Sequence, residues 1–210
     1  MQDLVGPALM TVGLVVLAAY LLGSIPFGLI VTRLGGAGDV RQIGSGNIGA
    51  TNVLRTGRKD LAILTLLLDA GKGAAAILIA RQLFDSEVLT ALAGAAVFLG
   101  HLFPVWLRFR GGKGVATFFG VLLAVAWPVG LICAGAWLAV FAVSRISSLS
   151  ALIAAGIAPL AAFLLDAHGA TIALAGFMAV LIVVRHHENL GRLAKGQEPR
   201  FGAPKADAGA

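Results

Sequence analysis

Charge is what this sequence has least of. Asp, Glu, Lys and Arg make up 12% of its 210 residues, about half the share found in a soluble globular domain. An ordinary water-soluble domain is therefore excluded. Acids are the scarcer sign, 10 against 16 Lys and Arg, for a net charge of +6. Cysteine occurs once, at Cys133 inside an apolar run, which excludes an intramolecular disulfide and a cysteine-based metal cluster. No H-x4-D, D-H-H-C, H-E-x-x-H or Walker A pattern is present, so neither a metal nor another cofactor is expected. The N-terminus, Met1-Gln2-Asp3-Leu4, has no basic n-region and no A-x-A site after a short apolar stretch. The first apolar run is therefore expected to be a retained span.

What the chain has in quantity is apolar sequence: 59% hydrophobic residues and a mean hydropathy of +0.93. The fold class expected is an all-α integral membrane protein, and the positive charge reads as loop bias and an anionic ligand rather than nucleic-acid binding. The runs cover residues 4–31, 61–81, 88–107, 115–143, 148–165 and 170–184. The first is kinked or ended near Gly23-Ser24-Ile25-Pro26. The run over 115–143 is longer than the roughly 20 residues that cross a bilayer, and Trp127-Pro128 interrupts it. Divided there into two short helices of about 12 to 15 residues each, it gives seven spans with the N-terminus outside and the C-terminus inside. That topology puts all the strongly basic loops on one side. Undivided, it would leave a basic loop or the basic tail outside. A single domain is expected over 1–198, with a disordered tail over 199–210.

Residues 100–117, GHLFPVWLRFRGGKGVAT, are the chain's most informative stretch. An apolar run stops at His101 and Pro104, then Arg108, Arg110 and Lys113 arrive among Gly111, Gly112 and Gly114. Glycines let backbone N–H groups approach a ligand, and Lys113 falls at a predicted helix start, where the dipole favours an anion. Arg108 and Arg110 read equally well as membrane-edge anchors. Residues 44–55, GSGNIGATNVLR, match G-x-G-x-x-G formally, yet a dinucleotide fingerprint needs a βαβ unit that the flanking spans exclude. What remains is a phosphate-compatible loop, or an ordinary flexible one. Gly44 and Gly46 allow close approach, Ser45, Asn47, Thr51 and Asn52 offer neutral donors, and Arg55 offers a fork of donors.

Asp69 and Lys72 lie three apart inside a span, so they pair with each other or meet substrate from inside the bundle. Near the C-terminus, His186 and Asn189 share a helix face, again at i, i+3, with Arg192 beyond. His187 reads as an interfacial residue and Glu198 as surface charge. Ser144, Ser147, Ser148 and Ser150 surround Arg145 in another polar corner, as helix caps or as part of a site.

Three long stretches in this order, 44–55, 100–117 and 186–198 (HHENLGRLAKGQE), together resemble the bacterial membrane acyltransferase family that acylates glycerol 3-phosphate from acyl phosphate. Residues 23–27 (GSIPF) and 68–73 (LDAGKG) add to the resemblance, which runs to about Glu198. Small departures occur at His187, Leu190 and Gln197. The resemblance implies a seven-helix inner-membrane enzyme with its active site at the cytoplasmic side and no cofactor. It implies transfer to the 1-position of glycerol 3-phosphate, giving lysophosphatidic acid and phosphate. Partners implied are the two substrates, the lipid bilayer and the soluble enzyme that makes acyl phosphate. Ser45, Arg55, Lys113, His186 and Asn189 resemble the family's functional positions. On that basis Ser45, His186 and Asn189 are expected to be catalytic. Gly44, Gly46, Asn47, Thr51, Arg55, Gly111, Gly112, Lys113 and Gly114 are expected to bind phosphate, supported by Asp69, Lys72, His101, Ser147 and Arg192. Acyl phosphate arrives activated, so orientation and charge stabilisation are the main demands. The base is His186 or a substrate phosphate, the latter favoured. A transporter of phosphates or a non-catalytic lipid-binding protein would fit the composition too, although no internal repeat supports the former.

Overall fold

The computed structural model describes residues 2–202; Met1 and residues 203–210, most of the expected tail, lie outside the described residues. The chain forms α1 (Gln2–Gly23), α2 (Phe27–Leu34), α3 (Ala50–Val53), α4 (Lys59–Leu83), α5 (Glu87–Leu102), α6 (Val115–Val125), α7 (Trp127–Ser144), α8 (Ser147–Leu164), α9 (Gly169–Arg185) and α10 (His187–Ala194). Among the described residues, five segments are long and apolar enough to cross a membrane: Leu9–Leu34, α4, the segment Glu87–Leu107, α7 and α8. A sixth is α9 taken with α10, a pair bent by 63°. α6 is apolar and shorter.

Outward faces carry large apolar residues such as Leu67, Leu138 and Val180, exposed in the bundle, as helices bathed in lipid require. Phe98, Leu102, Phe118, Val121, Met178 and Ile182 are fully buried between the helices. Close approach depends on glycine where α1 meets α5 and where α4 meets α6. A Cβ on Gly100 of α5 would stand 2.2 Å from the Tyr20 carbonyl of α1, and one on Gly120 of α6 would stand 1.9 Å from the Ala70 carbonyl of α4. Small residues at such crossings are how helices pack where no hydrophobic effect drives them together.

Two breaks shape the bundle. At Ser24 to Pro26 the first span divides into α1 and α2, as the proline predicts, and the Ile25 carbonyl, which takes the Phe27 amide at 3.1 Å, also accepts from Lys72 at 2.9 Å. In lipid such a carbonyl needs an internal partner. The second break is at Ala126 (φ −150°, ψ 81°). The predicted division of 115–143 is present but uneven, 11 residues in α6 and 18 in α7 rather than two helices of similar length. Pro128 stands in the first turn of α7, where its missing N–H costs no intrahelical bond, which favours a helix start there. Arg81 of α4 donates to the Ala124 and Val125 carbonyls at 3.1 and 3.0 Å, closing the end of the short helix.

The loops fall at two ends. At one, Thr51 Oγ1 lies 3.5 Å from Ser147 Oγ, Ser148 donates to Glu198 at 2.7 Å, and the Phe201 amide donates to the Arg145 carbonyl at 2.8 Å. Phe201 also packs on Phe141, so residues 199–202 of the expected tail include an anchored ring. At the other end, Arg81, Glu87, Pro128 and His168 line a smaller cavity.

Candidate active site

A cleft of about 540 Å³ opens at the first end. Three stretches far apart in sequence line it: Asp39, Arg41, Gln42, Ser45, Gly46 and Asn47; Leu107, Arg110, Gly111 and Lys113; and Arg185, His187 and Glu188. Four cations therefore face two acids. Arg41 is held by Asp39, its Nε 2.9 Å from Oδ1, and this guanidinium keeps the Asp39 carboxyl well below the usual carboxylate range. Arg185 donates to the Gly111 and Gly112 carbonyls at 2.9 and 3.1 Å and stacks over Phe103. Among the described residues neither Arg110 nor Lys113 has a carboxylate partner. Unneutralised positive charge in a concave, partly buried site suits a phosphate.

Lys113 stands one residue before Gly114, whose φ of +86° caps the start of α6, so its predicted place at a helix N-terminus is observed. Its ammonium donates to Asn189 Oδ1. Asn189 in turn donates through Nδ2 to Glu198 Oε1, an orientation that matches donor to acceptor on both sides. Glu198 also accepts from Ser148 at 2.7 Å and from Arg192 Nε at 2.7 Å, and its side chain is 7% exposed. The expectation of surface charge at Glu198 is corrected: it is the hub that joins α8, α10 and the tail. Burial pushes the Glu198 carboxyl up, but hydrogen bonds from Ser148, Asn189 and Arg192 outweigh it and hold the group low. The Lys113 ammonium is pushed below the ordinary lysine value, first by burial and then by Arg192. An acid set between Lys195 and Arg200 was the one available signal for this hub.

The glycines act differently from the reading that their amides face a ligand. Gly111 N donates to Leu102 O and Gly112 N to His101 O, each at 3.1 Å, so both amides are consumed by the orphan carbonyls at the end of α5. Glycine is needed at 112 because a Cβ there would stand 2.2 Å from His101 Nε2. In the first loop Gly44 and Gly46 take φ of +55° and +68°. Asn52, read above as a free donor, is instead the loop's internal strut, donating to the Val40, Ile43 and Asn47 carbonyls and accepting from Ser45 N. Asn47 lines the cleft while its Oδ1 accepts from Gly49 N at 2.9 Å.

Not every predicted binding residue lies in the lining. Arg55 is exposed beside Gly44, where a Cβ would meet its Nη1 at 2.7 Å, and Thr51 is paired with Ser147. The histidines exchange places relative to expectation. His187, read as merely interfacial, lines the cleft, whereas His186 is 3% exposed with Nδ1 2.8 Å from the Ile182 carbonyl. A carbonyl only accepts, so Nδ1 carries the hydrogen and Nε2 keeps its lone pair. Burial, with Lys113 and Arg185 nearby, pushes His186 down to about 4. It is neutral at pH 7. Asp69 and Lys72 pair as one of the two readings had it, Oδ1 to Nζ 2.8 Å, both within 2% exposure and away from the cleft lining. Arg185 and Arg41 were missed as cleft residues, because nothing in sequence spacing shows which cations turn inward.

The whole chain is similar to proteins of known kind. The family model described as glycerol-3-phosphate acyltransferase matches residues 13–196. A glycerol-3-phosphate acyltransferase of Caulobacter vibrioides is 61% identical over 98% of this chain and 94% of its own length. One from Rhodospirillum rubrum is 56% identical, covering 96% of each chain. Two crystal structures of PlsY (YgiH), an integral membrane glycerol 3-phosphate acyltransferase, superpose with TM-scores of 0.86 and 0.85 at 42% and 41% identity. Each covers 91% of this chain and 96% of the other; one is the glycerol 3-phosphate form and the other the lysophosphatidic acid form. The chain belongs to the glycerol-3-phosphate acyltransferase family.

Proposed function

We propose that this protein transfers an acyl group from acyl phosphate to the 1-hydroxyl of glycerol 3-phosphate, giving lysophosphatidic acid and phosphate. It crosses the bacterial inner membrane seven times, N-terminus outside, with the cleft at the cytoplasmic side. One observation carries the reading: residues 45–47, 110–113 and 185–188 converge on a single cleft in which cations outnumber acids. The seven crossings rest on the alternation of loops between two ends, with the break at Ala126 facing away from the cleft.

Both substrates are phosphates and one is already activated, so the chain has to bring two anions together and stabilise charge. Lys113 and Arg110 supply unneutralised charge, Ser45 a hydroxyl, and Arg55 a fork of donors beside Gly44. The glycerol hydroxyl attacks the acyl carbon, the new C–O bond forms, the C–O bond to phosphate breaks, and the hydroxyl proton passes to a phosphate oxygen. A phosphate with its second pKa near 6 can take it. His186 is buried and outside the cleft lining, which supports a positioning role over that of general base.

The test is a donor comparison with the purified protein in lipid nanodiscs. Given glycerol 3-phosphate, it should form lysophosphatidic acid and phosphate in equal amounts from acyl phosphate, and none from acyl-CoA or acyl carrier protein. Product from the thioesters alone would overturn the donor.

A further inference from the structure

Four spans meet at a buried polar cluster packed against the Gly112 turn, and no step above uses it. Asp69 and Lys72 of α4 are 2% and 1% exposed in their side chains, and His101 of α5 is 3% exposed. Lys72 Nζ sits 2.8 Å from Asp69 Oδ1 and donates to the Ile25 carbonyl in the break between α1 and α2. His101 Nδ1 faces Asp69 Oδ1 at 3.5 Å, beyond a good hydrogen bond, and among the described residues it makes no hydrogen bond, so the Asp69 carboxylate is the nearest group to attract it. Ionisable groups at membrane depth are costly, and an apolar trio of similar volume would hold the helices together at least as well. Their presence at that depth points to something other than stability.

The connection to the cleft runs along the chain on both sides of Lys113. Before it, Gly112 rests on the His101 ring and its amide donates to the His101 carbonyl at 3.1 Å. After it, Thr117 in the first turn of α6 donates through Oγ1 to the Asp69 carbonyl at 3.0 Å. One flank of Lys113 is thus set against the His101 ring, which faces the Asp69 carboxylate, and the other is tied to the Asp69 main chain, whose place in α4 the ion pair with Lys72 helps to fix. We infer that Asp69, Lys72 and His101 are positioning residues that fix the Gly111 to Gly114 turn, and with it the Lys113 ammonium, at the height where it meets substrate phosphate. The inference rests on the phosphate-binding reading of Lys113 given above.

The experiment is a double-mutant cycle on initial rates against glycerol 3-phosphate, run in nanodiscs beside thermal unfolding. The variants are Lys113→Ala, His101→Phe, the pair Asp69→Asn with Lys72→Met, and each of the latter combined with Lys113→Ala. His101→Phe keeps a ring against Gly112 but removes the attraction to Asp69. Alone it should raise KM about fivefold to tenfold while kcat changes less than about threefold; in the Lys113→Ala background it should add less than about twofold. The double substitution on α4 removes both charges together and leaves no buried ion unpaired; it should show the same KM pattern, with a lowered Tm from the Lys72 donor lost to the Ile25 carbonyl. Effects that multiply in full with Lys113→Ala, or a lowered Tm with unchanged KM, would overturn the positioning role. Failure of the phosphate reading looks different: Lys113→Ala itself would keep the parent KM, and both statements would fall. Lys113→Ala impaired with His101→Phe like the parent sinks the triad alone.

Discussion

The Lys113 ammonium donates to Asn189 Oδ1 across 76 residues of chain, joining the start of α6 to α10. That contact places a cation from the second glycine-rich stretch against an amide from the third. Because Asn189 is held from its other side by Glu198, the oxygen cannot turn away from Lys113.

On the proposed reading Lys113 meets phosphate as a compact charge between Gly112 and Gly114, so it should tolerate little change. Lys113→Ala removes a charge-assisted contact of about 1.5 to 3 kcal/mol, which lowers activity at limiting glycerol 3-phosphate by about tenfold or more. Lys113→Arg adds bulk beside Gly112 and Gly114 and should rescue weakly. Arg108→Lys, at an exposed residue outside the cleft lining, should be near silent. Initial rates at saturating and limiting acceptor separate these outcomes; equal behaviour of Lys113→Ala and Arg108→Lys would remove Lys113 from the site.

His186 gives a pH prediction with a definite sign. Its folded value of about 4 lies below the ordinary 6.5, so between those limits the unfolded chain binds a proton that the native protein refuses. Stability contributed by the neutral ring is complete above pH 6.5 and is lost as pH falls toward 4, to about 3 kcal/mol in all. His186→Asn should therefore narrow the fall in Tm over that window and retain measurable activity with an unchanged pH profile near neutrality. A profile that loses its acid limb in the variant would make His186 the base.

Arg81 closes the C-terminal carbonyls of a helix too short to reach the usual interface. Arg81→Met leaves the Ala124 and Val125 carbonyls without that donor and should destabilise the protein by about 1 to 3 kcal/mol, seen as a lower Tm. Since the contact lies at the end away from the cleft, KM for glycerol 3-phosphate should stay at the parent value. A raised KM with unchanged Tm would refute the assignment.

Sidedness can be read with a membrane-impermeant thiol reagent on intact cells after replacing Cys133 by Ala. Trp127→Cys, at the exposed corner between α6 and α7, should label from outside, and Lys195→Cys only after the membrane is opened. The reverse pattern, or Trp127→Cys protected in intact cells, would exclude seven spans with the N-terminus outside.

The order and ends of the helices were legible in the sequence, because hydropathy, proline and glycine act locally: the kink at Pro26, the start of α6 after Gly114 and the division before Pro128 all follow from neighbouring residues. The three motif stretches were legible too, since cations and glycines in a membrane protein stand out against an apolar background. What the tertiary structure decided is which groups spend themselves on one another. The Gly111 and Gly112 amides go to the end of α5, Asn52 becomes a strut, and Glu198 goes inward to Asn189, Ser148 and Arg192. The exchange of His186 for His187 in the cleft turns on a bend of 63° between α9 and α10. Hydrogen-bond partners 9 to 76 residues apart are chosen by how the helices pack, and burial then sets which charges stay free for a ligand. No local pattern records that choice.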